Sequence, residues 1–141
     1  MIVKVKKLHP AAQIPAPATS GAAGFDLVAT SKEYDEFLEV SKFGTGIAVE
    51  IPQGLVGLIF PRSSVCKTMH RMANAVGVID SDYRGEISAV FDGTGAAMDD
   101  YDIGDRIGQL VIVPIPAVEL VEAETLSETA RGAGGYGSTG K

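Results

Sequence analysis

The chain has 141 residues, about the size of one domain, and its 17 glycines and 7 prolines exceed the usual combined share of about 12%, which favours short strands and turns over long helices. Hydrophobic residues at 45% and charged residues at 21% exclude a disordered or coiled-coil chain. A net charge of −6 argues against a duplex-binding protein, which needs a basic face, so a polyanionic ligand must be met by a few placed cations or a metal.

Ile2, Val3 and Val5 sit among Lys4, Lys6 and Lys7, a lysine-studded strand suited to a sheet edge. Residues 10–24 hold three prolines and two glycines and read as a loop. Phe25–Val28 is a short strand. Glu36–Val40 and Gly46–Ile51 alternate as strands around a Ser-Lys turn, and Leu55–Phe60 is a buried strand stopped by Pro61. Ser63–Met72 is the best stretch for a short helix. Val76–Ile79 and Glu86–Phe91 are strands flanking an Asp-Ser-Asp-Tyr-Arg-Gly turn, and residues 99–105 form an acidic loop. Ile107–Val113 is a strand ended by Pro114 and Pro116, and Val118–Glu122 is another. Strands at this spacing predict an all-β sandwich or jelly-roll-like barrel. No internal repeat is present.

The single cysteine, Cys66, rules out an internal disulfide, and His9 and His70 lack zinc-site spacing with it. No apolar run approaches the length of a membrane span. The N-terminus interleaves charges with apolar residues and is unlike a signal peptide. The expectation is a cytoplasmic protein.

The last ten residues contain five glycines and almost no apolar surface. They read either as a disordered tail or as a glycine-rich flap whose amides wrap a phosphate chain. Gly132–Gly137 fits G-x-G-x-x-G and Gly135–Lys141 fits G-x-x-x-x-G-K. Neither has the following helix that gives those motifs their meaning, and both are rejected. The physical content that remains is Arg131, a run of unhindered amides, Ser138 and Thr139.

Three further segments carry chemistry. Pro61-Arg62-Ser63-Ser64 puts a cation and two hydroxyls at a strand-to-helix junction, which is either an anion site or a capped turn. Asn74–Ile79 runs into Asp80–Gly85. An aspartate ending an apolar strand can be a rigid, partly desolvated general base, or the first residue of an Asx turn. Gly104-Asp105-Arg106-Ile107-Gly108-Gln109 opens a buried strand, with a surface arginine as its simpler reading.

In this order, the segments resemble the five motifs of the trimeric dUTP diphosphatases (dUTPases). Ala23–Leu27 resembles the first, Pro61–Ser64 the second, Gly77–Gly85 the third, Gly104–Leu110 the fourth, and Arg131–Gly140 the fifth. Gly108 stands where alanine is usual, and Tyr136 where phenylalanine is commoner. The resemblance runs from about Gly21 to the C-terminus.

It implies a jelly-roll-like homotrimer with one short helix, a catalytic core over residues 1–126 and a flexible flap over 127–141. Active sites would be shared between subunits. The implied reaction is hydrolysis of dUTP to dUMP and pyrophosphate with Mg²⁺, keeping dUTP low and supplying dUMP for thymidylate synthesis. Asp80 would be the general base. Asn74, with backbone from Gly77, Val78 and Ile79 and an added contact from Ser88, would read the uracil edge. Tyr83 would pack under the deoxyribose and exclude a 2′-hydroxyl. Arg62, Ser63, Ser64 and Gln109 would hold the phosphates. Arg131, Gly137, Ser138 and Thr139 would arrive from another subunit's tail, with Tyr136 over the uracil. Asp26 would meet Mg²⁺ through water. No partner other than dUTP and further copies of the chain is implied, neither nucleic acid nor membrane. Lys67, Arg71 and Arg84 read equally as steering or as ordinary surface charges.

The related dCTP deaminases need a glutamate five positions after the hairpin glycine, where this chain has Val90, and lack the glycine-rich fifth motif. A non-catalytic nucleotide-sensing trimer would show a degraded base or tail, whereas Asp80 and Arg131 are both present.

Overall fold

A computed structural model describes residues 1–92 and 101–136. Among the described residues, ten strands appear in chain order: β1 Lys4–Lys7, β2 Phe25–Val28, β3 Ser31–Asp35, β4 Val40–Gly44, β5 Ile47–Glu50, β6 Leu55–Phe60, β7 Arg71–Met72, β8 Gly77–Ile79, β9 Ser88–Asp92 and β10 Arg106–Pro114. They form three antiparallel sheets, ordered β1-β5, β2-β10-β6-β8 and β3-β4-β9-β7. Among the described residues, no helix is long and apolar enough to cross a membrane. The all-β expectation holds.

Alternation along the strands builds the core. In β4 and β5, Phe43, Ile47 and Val49 turn inward; in the 87–92 stretch, Ile87, Ala89 and Phe91 do the same. Every second residue therefore faces the same side. Phe43 and Phe91 meet edge to face at 5.9 Å, and the Tyr101 ring closes on both. His70 is buried beside them and stacks on Tyr101 at 5.8 Å. Thr45 is a buried polar residue whose hydroxyl is satisfied by the Ile87 carbonyl at 2.6 Å, as burial demands.

Four expectations are corrected. The short helix over Ser63–Met72 is a five-residue 3₁₀ turn, Ser63–Lys67, and Arg71–Met72 instead pairs with β9. The Thr68 hydroxyl bonds the Val65 carbonyl at 2.8 Å and ends the turn. Residues 36–39 turn rather than extend, because the Asp35 carboxylate accepts the Phe37 and Leu38 amides, each at 2.9 Å. Ser41 and Lys42 accordingly lie within β4 rather than in a turn. Val118–Glu122 makes no strand in the single chain, and its apolar side chains stand in solvent. Of the acidic loop, residues 99 and 100 lie outside the described residues; Tyr101 is buried, and a turn follows at 103–104.

Candidate active site

Strand register decides which motifs meet. In the β2-β10-β6 part of the sheet, Gln109 lies opposite Asp26 on one side and Phe60 on the other. This brings the first, second and fourth motifs to one end. Arg62 Nε donates to Asp26 Oδ1 at 3.0 Å, and Arg106 donates to Asp26 Oδ2 at 3.3 Å. One carboxylate thus carries two guanidinium groups. Arg62 also reaches the Ser64 hydroxyl at 3.5 Å. Gln109 Nε2 donates to the Pro61 carbonyl at 3.3 Å. A Cβ on Gly24 would lie 2.5 Å from Gln109 Oε1, so the glycine in the first motif is what lets this side chain cross. Ser63 is exposed at the start of the 3₁₀ turn. A turn of this length has little dipole to offer an anion, so the site's attraction comes from its side chains.

Nearby, burial pushes the Tyr101 phenol above its usual range; the Ser64 hydroxyl and the Arg62 guanidinium offset part of that rise.

The third motif forms a second cluster. β8 pairs with β6 through Ile79↔Gly57, Val78↔Leu58 and Gly77↔Ile59. A cavity of about 230 Å³ is lined by Val78, Ile79, Asp80, Tyr83, Glu86 and Ser88. It is smaller than the range for drug-sized ligands. Asp80 is exposed, and its carbonyl accepts the Tyr83 amide at 3.2 Å in the turn. Asp80 also borders a wider depression of about 1060 Å³, flanked by Lys4, Glu50 and Arg84. The partial desolvation expected of Asp80 is therefore not supplied within one chain. Asn74 is exposed and lies outside the small cavity's lining. It precedes Ala75, whose φ of 58° is left-handed, and the Val76 amide closes a three-residue turn onto the Asn74 carbonyl at 2.5 Å.

The two clusters do not meet within the chain. Asp80 follows Ile79, which is opposite Gly57, whereas Arg62 lies beyond the far end of β6. The intervening residues, 56 to 62, span on the order of 20 Å if extended.

In the tail, Arg131 is exposed and its Nε donates to the Gly134 carbonyl at 2.8 Å. Tyr136 is fully exposed with φ 42°. Gly137, Ser138 and Thr139 lie outside the described residues.

Among the described residues, no three His, Cys, Asp or Glu side chains are grouped to hold a metal ion. The carboxylate at the cation cluster is Asp26, whose two oxygens are engaged by Arg62 and Arg106.

Two contributors have no role in the motif resemblance. Arg106 is the exposed arginine that the sequence suggests, and it also reaches Asp26 at 3.3 Å. Glu86 follows the third motif, and only the fold reveals that its carboxylate accepts the Gly46 amide at 2.7 Å.

A family model described as dUTPase matches residues 11–140. The deoxyuridine 5′-triphosphate nucleotidohydrolase of Wolinella succinogenes is 44% identical over 147 residues, covering 100% of this chain and 95% of that protein. That of Nautilia profundicola is 44% identical over 142 residues, covering 100% of both. Among solved structures, the dUTPase of Staphylococcus bacteriophage 80alpha with dUpNHpp superposes with a TM-score of 0.82 at 28% identity, covering 99% of each chain. A point mutant of the dUTPase from phage phi11 of S. aureus, described with a structural Mg(II) ion, gives a TM-score of 0.72 at 26% identity, covering 89% of this chain and 98% of that one.

Proposed function

This chain belongs to the dUTPase family and is a dUTP diphosphatase, hydrolysing dUTP to dUMP; on that premise we propose that its active site is assembled between copies of the chain, with the Asp80 cluster of one facing the Arg62 cluster of another. The observation that carries this reading is the separation of the two clusters along β6. A carboxylate and the small cavity stand at one end, and a cation-and-hydroxyl cluster at the other. The wide depression beside Asp80 offers room for a neighbour's cluster.

Association has a physical drive. An apolar groove of about 500 Å³ runs over Val3, Val5, Phe25, Val49, Leu110 and Ile112. Val118, Leu120, Val121 and Leu126 stand exposed in the C-terminal segment. Unburied apolar surface of this kind is what assembly covers, and we take the assembly to be the homotrimer.

In the assembled site, Asp80 takes a proton from a water molecule. The water oxygen bonds to the α-phosphorus, the bond from that phosphorus to the α,β-bridging oxygen breaks, and pyrophosphate leaves. Arg62, Ser63, Ser64 and Gln109 hold the phosphates in line; positioning and charge neutralisation are the main demands of phosphoryl transfer. Asp26 would hold Mg²⁺ through water, and the ion would add charge neutralisation on the phosphates. Val78, Ile79 and Ser88, with Asn74 from the adjoining turn, contact the uracil. A base with reversed donors and acceptors leaves buried polar groups unpaired and is rejected. Tyr83 excludes the 2′-hydroxyl. The tail of a further copy brings Arg131, Gly137, Ser138 and Thr139 to the γ-phosphate end and Tyr136 onto the base. The product supports thymidylate synthesis in the cytoplasm while dUTP is kept low.

The test is complementation. Asp80→Asn and Arg62→Gln each leave little dUTP hydrolysis alone, with Asp80→Asn still binding dUpNHpp. Refolded together in equal amounts, they recover about a quarter of wild-type activity, because random mixing gives that share of sites both intact residues from different copies. No recovery from demonstrably mixed oligomers would place the whole site within one chain. A panel of dUTP, UTP, dCTP and dTTP, with and without chelator, checks base, sugar and metal dependence.

A further inference from the structure

The Tyr83 ring is placed by its own turn. Its hydroxyl donates to the Glu86 carbonyl at 3.1 Å. Glu86 is fixed in turn, because its carboxylate accepts the Gly46 amide at 2.7 Å and ties the turn to the corner between β4 and β5. Between Tyr83 and Glu86, Gly85 presents a bare α-carbon to the ring. A Cβ there would fall against Tyr83 Oη and lie 2.5 Å from Cζ and 2.9 Å from Cε2. These are separations that packed atoms do not adopt.

The backbone itself does not ask for glycine at this position. Among the described residues, the left-handed glycines are Gly46, Gly54, Gly104 and Gly132, and Gly85 is not one of them. Of the atoms nearest to such a Cβ, all three belong to the Tyr83 side chain. Gly85 is therefore small for the sake of the ring. The ring in turn borders the 230 Å³ cavity with Ser88 and Val78. To admit a methyl group at 85, it must move by on the order of 1 Å, a displacement that matters where a wall must tell a hydrogen from a hydroxyl.

We propose that Gly85 is a specificity-determining residue: by leaving the space across which Tyr83 folds back to Glu86, it sets how closely the ring approaches the sugar, and so sets the preference for deoxyribose over ribose. The proposal rests on Tyr83 being the sugar gate. Gly85 itself acts through Tyr83 and is a positioning residue.

The experiment is a double-mutant cycle read as the ratio of kcat/KM for dUTP to that for UTP, with Gly85→Ala, Tyr83→Ala, the pair together and the wild type. Gly85→Ala lowers the ratio about tenfold or more, in the same direction as Tyr83→Ala. Added to Tyr83→Ala, it changes the ratio by less than about twofold, since no ring is left to displace. If Tyr83→Ala narrows the ratio and Gly85→Ala does not, the gate stands and the role of Gly85 falls. If Tyr83→Ala leaves the ratio unchanged, the sugar-gate reading itself falls. A Gly85→Ala effect that persists undiminished without the ring would mean a backbone cause and overturn the proposal. Should Gly85→Ala alone not fold, calorimetry of the double variant decides. Recovery of a melting transition identifies the ring as the obstacle, and continued failure to fold overturns it.

Discussion

Asp26 and Arg62, 36 residues apart in the chain, meet as an ion pair with Nε 3.0 Å from Oδ1, their side chains 18% and 25% exposed. Such partial burial protects the pair from the screening that makes surface pairs weak. Because Arg106 occupies the second carboxylate oxygen, Asp26 sets the direction of two cations at once. Asp26→Asn keeps the shape but offers an amide to one guanidinium. Its KM for dUTP rises about tenfold while kcat changes less, the signature of lost binding geometry. Raising Mg²⁺ restores only part of the loss, because the ion does not return the guanidinium groups to their places. Steady-state kinetics across a Mg²⁺ series checks both statements.

Ala75 holds a left-handed φ of 58° beside Asn74. That conformation costs an L-residue about 1–2 kcal/mol, part of which glycine gives back through its freer unfolded chain. Ala75→Gly is expected to stabilise the fold by about 0.5–1 kcal/mol and to raise Tm by a few degrees. Differential scanning calorimetry measures it. A lower Tm would show that the turn is not strained.

The Tyr101 phenol sits above its usual value of 10.0 because it is buried. In the unfolded chain it ionises at the ordinary value, while the folded chain keeps the proton to higher pH. Its contribution to stability is therefore complete below about pH 10 and is lost as pH rises through the folded value. Urea midpoints should fall more steeply above about pH 10 in the wild type than in Tyr101→Phe. Parallel curves would show that the phenol is not protected.

Residues 127–133, 135 and 136 are all exposed, and Gly134 is only partly covered. Removing 127–141 leaves the core intact, with Tm shifted by no more than a few degrees. The loss falls on catalysis, with kcat/KM for dUTP dropping on the order of a hundredfold through lost positioning. Gel filtration with an activity assay separates this outcome from a structural role for the tail.

The strands of the core were legible because their residues alternate or run apolar between clear breakers, as in Leu55–Phe60 before Pro61. What misled was side-chain competition with the backbone. Asp35 accepts two amides and turns the chain where apolar residues suggested a strand. Thr68 closes a 3₁₀ turn where a helix was expected, and β7 then takes its hydrogen bonds from β9. The motif residues of the site could be picked from their order along the chain. Their division into two clusters could not, because it depends on the β6-β8 register, a long-range fact absent from any local pattern. For the same reason the pairing of the exposed Arg106 with Asp26 was hidden: its partner lies 80 residues away.

Tyr136 stands fully exposed in a chain that contains no tryptophan. Its position is thus a ready place for an optical probe. Tyr136→Trp would introduce a lone indole against a dark background. If the tail docks as proposed, a change in its emission on adding dUpNHpp would report that step separately from bond cleavage.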